Sequence, residues 1–164
     1  MGDLKITVEC LRDLAAFHNE RVAGYQALID SLADHDRQLI TLFRAFITQS
    51  KAMSEELRQA AGTWGWSDGQ LRDEGKYGLA WSVVKAVFSS KMPCYPVDRC
   101  RSGENALLIA YHSIEGTDGL AEPVRLLINK QKRAVIAARD WITHFEALPV
   151  DQPQHVQPPI LHVL

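Results

Sequence analysis

Four polar residues stand where the repeating pattern of apolar side chains calls for an apolar one: His18, Ser50, Glu104 and Gln131. Each interrupts a stripe whose other members recur at alternating steps of three and four residues, the spacing of one face of a packed helix. An imidazole and a carboxylate can together bind a metal ion, and a carboxyl whose pKa is raised by burial can act as an acid or a base beside a histidine. These two chemistries of His18 and Glu104 stand beside a third interpretation, favoured here, in which the polar residues only hold the fold together.

The distances of these residues from the chain turns predict that they meet. His18 and Ser50 are equally distant in sequence from Asp34, and Glu104 and Gln131 are equally distant from the turn at residues 117–118. Two helices on a short connection run antiparallel, so residues equidistant from the turn face each other. Since an unpaired buried polar group costs about 1–3 kcal/mol, we expect the four side chains to form one hydrogen-bonded layer.

The apolar stripes that carry these residues predict four long helices. We expect them over residues 4–32, 37–61, 98–115 and 120–148, with a shorter amphipathic helix over 74–90 between the second and the third. A glycine-rich segment precedes that short helix, and Pro93 and Pro96 follow it. The sequence therefore predicts one all-α domain over residues 1–148, followed by an extended, proline-rich tail over 149–164.

Composition limits the classes of partner. The 164 residues include 18 Lys and Arg against 20 Asp and Glu, a net charge of −2 that provides no positive field for nucleic acid or for an anionic membrane. No segment has the apolar length of a membrane span, and the first residues lack the pattern of a secretory signal, so we expect a cytoplasmic protein. Three cysteines, without a Cys-x-x-Cys pair, indicate neither a disulfide framework nor a zinc site.

The order and spacing of short motifs resemble the uncharacterised bacterial branch of the ferritin-like four-helix-bundle proteins, a domain of unknown function. The resemblance covers residues 4–148. The motifs that carry it are His18-Asn-Glu-Arg-Val-Ala-Gly-Tyr25, Leu42-Phe-Arg-Ala-Phe-Ile-Thr-Gln-Ser50 followed by Glu56-Leu57, Gly103-Glu104 with Tyr111, and Gln131 with Asp140. The resemblance implies a ferritin-like antiparallel four-helix bundle with a long crossover that carries a short extra helix, and it adds Tyr25 and Tyr111 to the central polar residues.

Ferritin-like di-iron proteins take one Glu from each of two helices and a Glu-x-x-His motif from each of the other two. In this chain the matching positions hold His18 and Glu104, then Ser50 with Met53, and Gln131 with Ala134. One carboxylate and one imidazole are too few to hold two iron ions. We therefore expect a degenerate di-iron site, no cofactor and a non-catalytic protein. The alternative is a single iron or zinc ion, or a small ligand, at His18 and Glu104.

Two further features indicate contact with other proteins. The tail has an apolar end, formed by Ile160, Leu161, Val163 and Leu164. A floppy tail is the favoured interpretation, and docking on a groove or a neighbouring subunit is the alternative. Trp64 and Trp66 lie in the glycine-rich segment. We expect a homo-oligomer, most simply a dimer, or a protein partner. For the two tryptophans, packing over the end of the bundle is the favoured alternative. A basic cluster of Lys91, Arg99 and Arg101 suits either an acidic partner or an ordinary solvated helix start.

Overall fold

A computed structural model describes residues 3–32, 37–65 and 96–146 of the chain. Within these ranges the protein is all-helical: α1 spans Leu4–Ser31, α2 Arg37–Thr63, α3 Pro96–Glu115 and α4 Glu122–Glu146. The four long helices predicted from the apolar stripes are thus confirmed, with ends that differ by one or two residues. The predicted helix over 74–90 and the tail over 149–164 lie outside the described residues.

The start of α1 is held against the turn between α3 and α4. The Asp3 carboxylate caps α1 by accepting hydrogen bonds from the backbone N–H groups of Lys5 and Ile6. The Asp3 backbone N–H in turn donates to the carbonyl of Gly119 at 2.6 Å. Nearby, the N–H of Ala121 donates to the Thr7 hydroxyl at 3.2 Å. These contacts set the height of α1 relative to α3 and α4.

Gly119 is required at that turn for two reasons. Its φ of +82° lies in the left-handed region, and a Cβ atom there would stand 3.4 Å from the Cβ of Asp3. We expect Gly119→Ala to lower the free energy of unfolding by about 1–2 kcal/mol, measured by urea denaturation. Gly62→Ala is the matched control, because Gly62 is helical with nothing within 4 Å of its added Cβ. A helical alanine there should be neutral or stabilise by up to about 1 kcal/mol. Equal effects at both positions would contradict this account.

Two apolar clusters fill the core. The first is built around Leu11, Phe17, Leu57, Leu107 and Ile128, and the second around Tyr25, Phe43, Phe46 and Ile142. His18 and Arg21 on α1, Gln49 and Ser50 on α2, and Glu104 on α3 fall between the positions that supply the first cluster and those that supply the second. The core is therefore apolar at both ends and polar in the middle.

No helix in the described ranges is both long enough and apolar enough to cross a lipid bilayer. The longest, α1, has 28 residues but buries Thr7, His18 and Arg21 among its apolar side chains.

Candidate functional site

The polar residues singled out in the sequence all lie in the core. His18, Ser50, Glu104, Tyr25 and Tyr111 are fully buried, and Gln131 is nearly so. The structure adds two residues to them, Arg21 on α1 and Gln49 on α2. We call the whole set the buried polar network; its members are His18, Arg21, Tyr25, Gln49, Ser50, Glu104, Tyr111 and Gln131.

Arg21 is the centre of this network. Its guanidinium donates from Nε to Glu104 Oε1 at 2.7 Å and from Nη2 to Glu104 Oε2 at 3.0 Å, a bidentate ion pair with no solvent exposure on either side. The remaining nitrogen, Nη1, donates to Gln49 Oε1 at 2.9 Å and to Ser50 Oγ at 2.8 Å. Arg21 therefore joins three helices through one planar group.

The surroundings of Arg21 keep its charge compensated. Burial, the largest single influence, acts to lower the pKa of the guanidinium, but the charge and hydrogen bonds of Glu104, together with Tyr25 and Tyr111, outweigh it and hold that pKa above its ordinary value. The Tyr25 hydroxyl donates to Glu104 Oε1 at 2.5 Å, and burial together with the Glu104 charge raises the pKa of Tyr25 well above its ordinary value. The guanidinium also lies 5.5 Å from the ring centre of Tyr25 and 5.4 Å from that of Phe46. Glu104 thus accepts three hydrogen bonds.

His18 connects the ion pair to the other half of the network. The expected pairing with Ser50 is present, with His18 Nδ1 lying 3.1 Å from Ser50 Oγ. On the other side of the ring, His18 Nε2 lies 2.6 Å from the Tyr111 hydroxyl, which donates to Gln131 Oε1 at 2.8 Å. Because the Tyr111 proton points to Gln131, the Tyr111 oxygen accepts from His18 Nε2–H, and Nδ1 accepts from Ser50. The hydrogen-bond directions therefore define a neutral imidazole protonated on Nε2.

The electrostatics agree with a neutral His18. Burial, and secondarily the Arg21 charge, lower the pKa of His18 well below its ordinary value. The Tyr111 hydroxyl is also buried, and burial raises its pKa, so it remains a donor. In the network only Arg21 and Glu104 are therefore expected to carry charge near neutral pH.

Gln131 carries the network to the surface. Its amide nitrogen donates to the Met53 backbone carbonyl at 3.3 Å and to Glu56 Oε2 at 2.8 Å. Glu56 Oε1 accepts from Lys130 Nζ at 2.7 Å, and both of these side chains are partly exposed. Met53 belongs to the polar set only through its backbone, because its side chain packs in the first apolar cluster.

The network is longer along the helix axis than one flat layer. Glu104 and Gln131, expected to face each other, have different partners among the described residues: Arg21 and Tyr25 for the first, Tyr111, Met53 and Glu56 for the second. Glu104 and Tyr111 are seven residues apart on α3, which corresponds to about 10 Å of helix. The expectation of a connected network is met, but direct pairing of Glu104 with Gln131 is replaced by a path through Arg21, Ser50, His18 and Tyr111.

The donor set does not fit a metal ion at His18 and Glu104. Both oxygens of Glu104 already face a guanidinium cation, and a metal ion there would be repelled by that charge. The free lone pair of His18, on Nδ1, accepts from Ser50. Among the described residues, no group of three or more His, Cys, Asp or Glu side chains is arranged to hold a metal ion.

The other features noted in the sequence lie elsewhere. Trp64 is half-buried and packs against the first apolar cluster, as expected for packing at the bundle end. Trp66, Lys91 and the tail, and the side chain of Arg99, are outside the described part of the chain. Near the end of α4, a shallow, open depression of about 390 Å³ is lined by Ala137, Asp140, Trp141 and His144, none of which belongs to the network.

Asp13 on α1 is a separate electrostatic weak point. Its Oδ2 atom is buried with no hydrogen-bond partner in the described part of the chain. Burial raises the pKa of Asp13 to about 6. The charge of Arg12 acts to lower this pKa, and the charge of Glu9 acts to raise it further. Stability should therefore fall as the pH rises through about 6, because the folded protein holds the Asp13 proton more tightly than the unfolded chain does.

We accordingly expect Asp13→Asn to stabilise the protein at pH 8 and to change little at pH 4. The full pKa change corresponds to about 3 kcal/mol, and partial exposure reduces the expected gain to about 1–2 kcal/mol. Urea denaturation at the two pH values measures it, with Asp118→Asn in the exposed turn as the control. A gain of equal size at both pH values would show that the carboxylate charge is not its cause.

Comparisons of the chain with protein-family models, with curated proteins and with solved structures found no match. The description of the protein therefore depends on its own structure. The described residues form four helices around a buried Arg–Glu ion pair, and a chain of hydrogen bonds connects this ion pair to every one of these helices.

Proposed function

We propose that this protein is a cytoplasmic, ferritin-like antiparallel bundle in which the buried polar network takes the place of the di-iron site. The network fixes the register of the four helices, and the protein acts without catalysis, by associating with a second copy or a protein partner. The observation that carries the proposal is saturation: the donor nitrogens of Arg21, both nitrogens of His18 and both oxygens of Glu104 are bonded within the protein.

The order of contacts supports the antiparallel arrangement. Ser54 on α2 donates to the carbonyl of Ala15, whereas Tyr25, ten residues further along α1, packs against Phe43 and Phe46. Residues further along α1 thus contact residues nearer the start of α2, as they do in an antiparallel pair. The contacts of α3 with α4 follow the same order: Arg125 bonds the carbonyl of Thr117 next to the turn, and Gln131 bonds Tyr111 further from it.

The enclosure of Glu104 and His18 within the buried polar network supports a non-catalytic role. A general acid or base must reach the proton that it transfers, and a nucleophile needs an adjacent base. Glu104 accepts from Arg21 and Tyr25, and His18 is enclosed by Ser50 and Tyr111. In some proteins buried polar groups are kept because they select one packing arrangement, and a saturated network suits that role.

Elemental analysis tests the non-metal part of this proposal. Protein purified without chelator is expected to hold iron and zinc well below one ion per chain, and His18→Ala should hold the same amount. Stoichiometric metal that is lost in His18→Ala would overturn the proposal and support a mononuclear site at His18 and Glu104.

Light scattering over a range of protein concentrations tests association. We expect a mass of about twice 18.4 kDa at high concentration. A variant ending at Pro149 shows whether the apolar tail contributes, since an unchanged number of chains per particle would exclude the tail from the contact. The mass of one chain at every concentration would count against self-association.

A further inference from the structure

The buried polar network is also an interface between two halves of the protein. We call α1 and α2 the first helix pair and α3 and α4 the second helix pair. Hydrogen bonds of the network and of its surface end cross from one pair to the other at Arg21–Glu104, Tyr25–Glu104, His18–Tyr111 and Gln131–Glu56. A polar, directional surface of this kind specifies which partner surface fits it.

The backbones show the same division. α1 and α2 approach each other closely along much of their length, as do α3 and α4, whereas α1 with α3 and α2 with α4 approach at few positions. Side chains therefore provide most of the recognition between the pairs. Each pair supplies one charge to the central ion pair, Arg21 from the first and Glu104 from the second.

The longest connection along the chain is the one between the two helix pairs. Five residues join α1 to α2 and six join α3 to α4, but 32 residues lie between Thr63 and Pro96. At roughly 3.3 Å per extended residue, such a segment could reach about 100 Å, more than twice the length of the longest helix here. A second helix pair could thus bind the first helix pair of its own chain or that of another chain.

We propose that the surface between the helix pairs also binds a second copy of this chain, by reciprocal exchange. The first helix pair of each copy binds the second helix pair of the other, so that Arg21 of each copy pairs with Glu104 of the other. This arrangement is closed and symmetric, and it uses no surface that the single chain does not already use. The inference rests on the proposed function in taking a second copy as the partner.

The exchanged form competes with the closed single chain. Because the two pairs belong to one chain, their effective concentration for each other is high, so the closed chain is favoured in dilute wild-type protein. Two variants whose changes can be brought together by exchange should therefore reveal it. Each single substitution in the ion pair destabilises the closed chain, because it leaves one buried charge without its partner, and only exchange between the two variants restores the pairing.

Arg21→Gln and Glu104→Gln chains, unfolded together and refolded in equal amounts, test the proposal. In the exchanged mixed dimer, one interface keeps Arg21 with Glu104 and the other brings two neutral glutamines together, so no charge is left unpaired. We expect a species of about twice 18.4 kDa containing both chains. Its thermal midpoint should exceed that of either variant alone by roughly 10 °C.

A mixture of Arg21→Gln with Ser50→Ala is the matched control. Both changes lie in the first helix pair. Every interface, exchanged or not, therefore brings a changed first pair against a wild-type second pair, and no gain in mass or midpoint is expected. The test does not require either variant to fold alone, because folding of the mixture is itself the readout. Single-chain mass with unchanged midpoints in the Arg21→Gln and Glu104→Gln mixture would overturn the proposal.

Wild-type chains carrying two different tags give a second measurement. Refolded together at increasing concentration, they should co-purify in a rising fraction, whereas chains mixed after folding should not. No co-purification after joint refolding would overturn the proposal.

Failure of exchange is distinguishable from failure of the proposed function. A wild-type dimer without complementation of the variants would leave association standing and remove exchange. Complementation in a protein that holds stoichiometric metal at His18 would retain exchange and overturn the proposed function.

Discussion

Replacing Glu104 with leucine is expected to lower the free energy of unfolding by about 3–5 kcal/mol, the cost typical of breaking a buried ion pair from one side. The substitution leaves the Arg21 guanidinium fully buried without a negative charge, and it removes the acceptor of the Tyr25 hydroxyl. Urea denaturation followed by circular dichroism measures the change. The destabilisation should be visible as a large fall in the denaturation midpoint with a similar slope.

The double variant Arg21→Met with Glu104→Leu separates charge from packing. Replacing both partners of a buried pair by apolar residues of similar volume is often neutral, so the double variant should recover most of the stability lost by Glu104→Leu. Arg139→Ala is the surface control, since Arg139 is 3.7 Å from Asp140 and both are exposed to solvent. That change should cost under about 1 kcal/mol. A double variant as unstable as Glu104→Leu would show that shape, and not charge, governs this position.

Acid is expected to destabilise the protein through His18. The pKa of His18 is far below its ordinary value of 6.5 in the folded protein, so below that pH the unfolded chain binds a proton that the folded protein does not. Stability from this group is therefore complete above about pH 6.5 and is lost as the pH falls, by about 1.4 kcal/mol for each pH unit. His18→Gln, which can still donate and accept a hydrogen bond, should lack this dependence.

Asp13 acts in the opposite direction and must be removed to see the effect of His18 clearly. Because its pKa is raised to about 6, Asp13 gives stability as the pH falls through that value. The comparison is therefore made between Asp13→Asn and Asp13→Asn with His18→Gln, by urea denaturation from pH 7.5 to about 5. The first should lose stability steeply towards acid and the second only weakly. Parallel curves would contradict a neutral, buried His18.

Much of the architecture follows from the sequence alone. A period of three and four residues indicates helices and their buried faces, and the breaks between stripes predicted helix ends to within one or two residues. The pairing of His18 with Ser50 could also be predicted, because a short connection between two helices fixes which positions face each other. These are local properties: they depend on residues that are near in sequence or joined by a short turn.

Arg21 was missed, although two signals for it exist. Arginine usually lies at a surface with its charge in water, so a single arginine on a helix gives no reason to place it inside. Yet Arg21 follows His18 by three residues, which puts both on the same face of α1. A buried Glu104 also requires a compensating cation, and Arg21 lies on the same face as the residue already assigned to the polar layer.

Periodicity determined most of the apolar helix faces that enter the core, because it depends only on neighbours along one helix. The tertiary structure decided what the polar ones do there. Arg21 and Glu104 are 83 positions apart, and their contact depends on how the two helix pairs are set against each other. That choice gives the Glu104 carboxylate a guanidinium as its partner. The sequence could not predict this, because an ion pair needs two charges within a few ångströms and no repeat in the sequence encodes that distance.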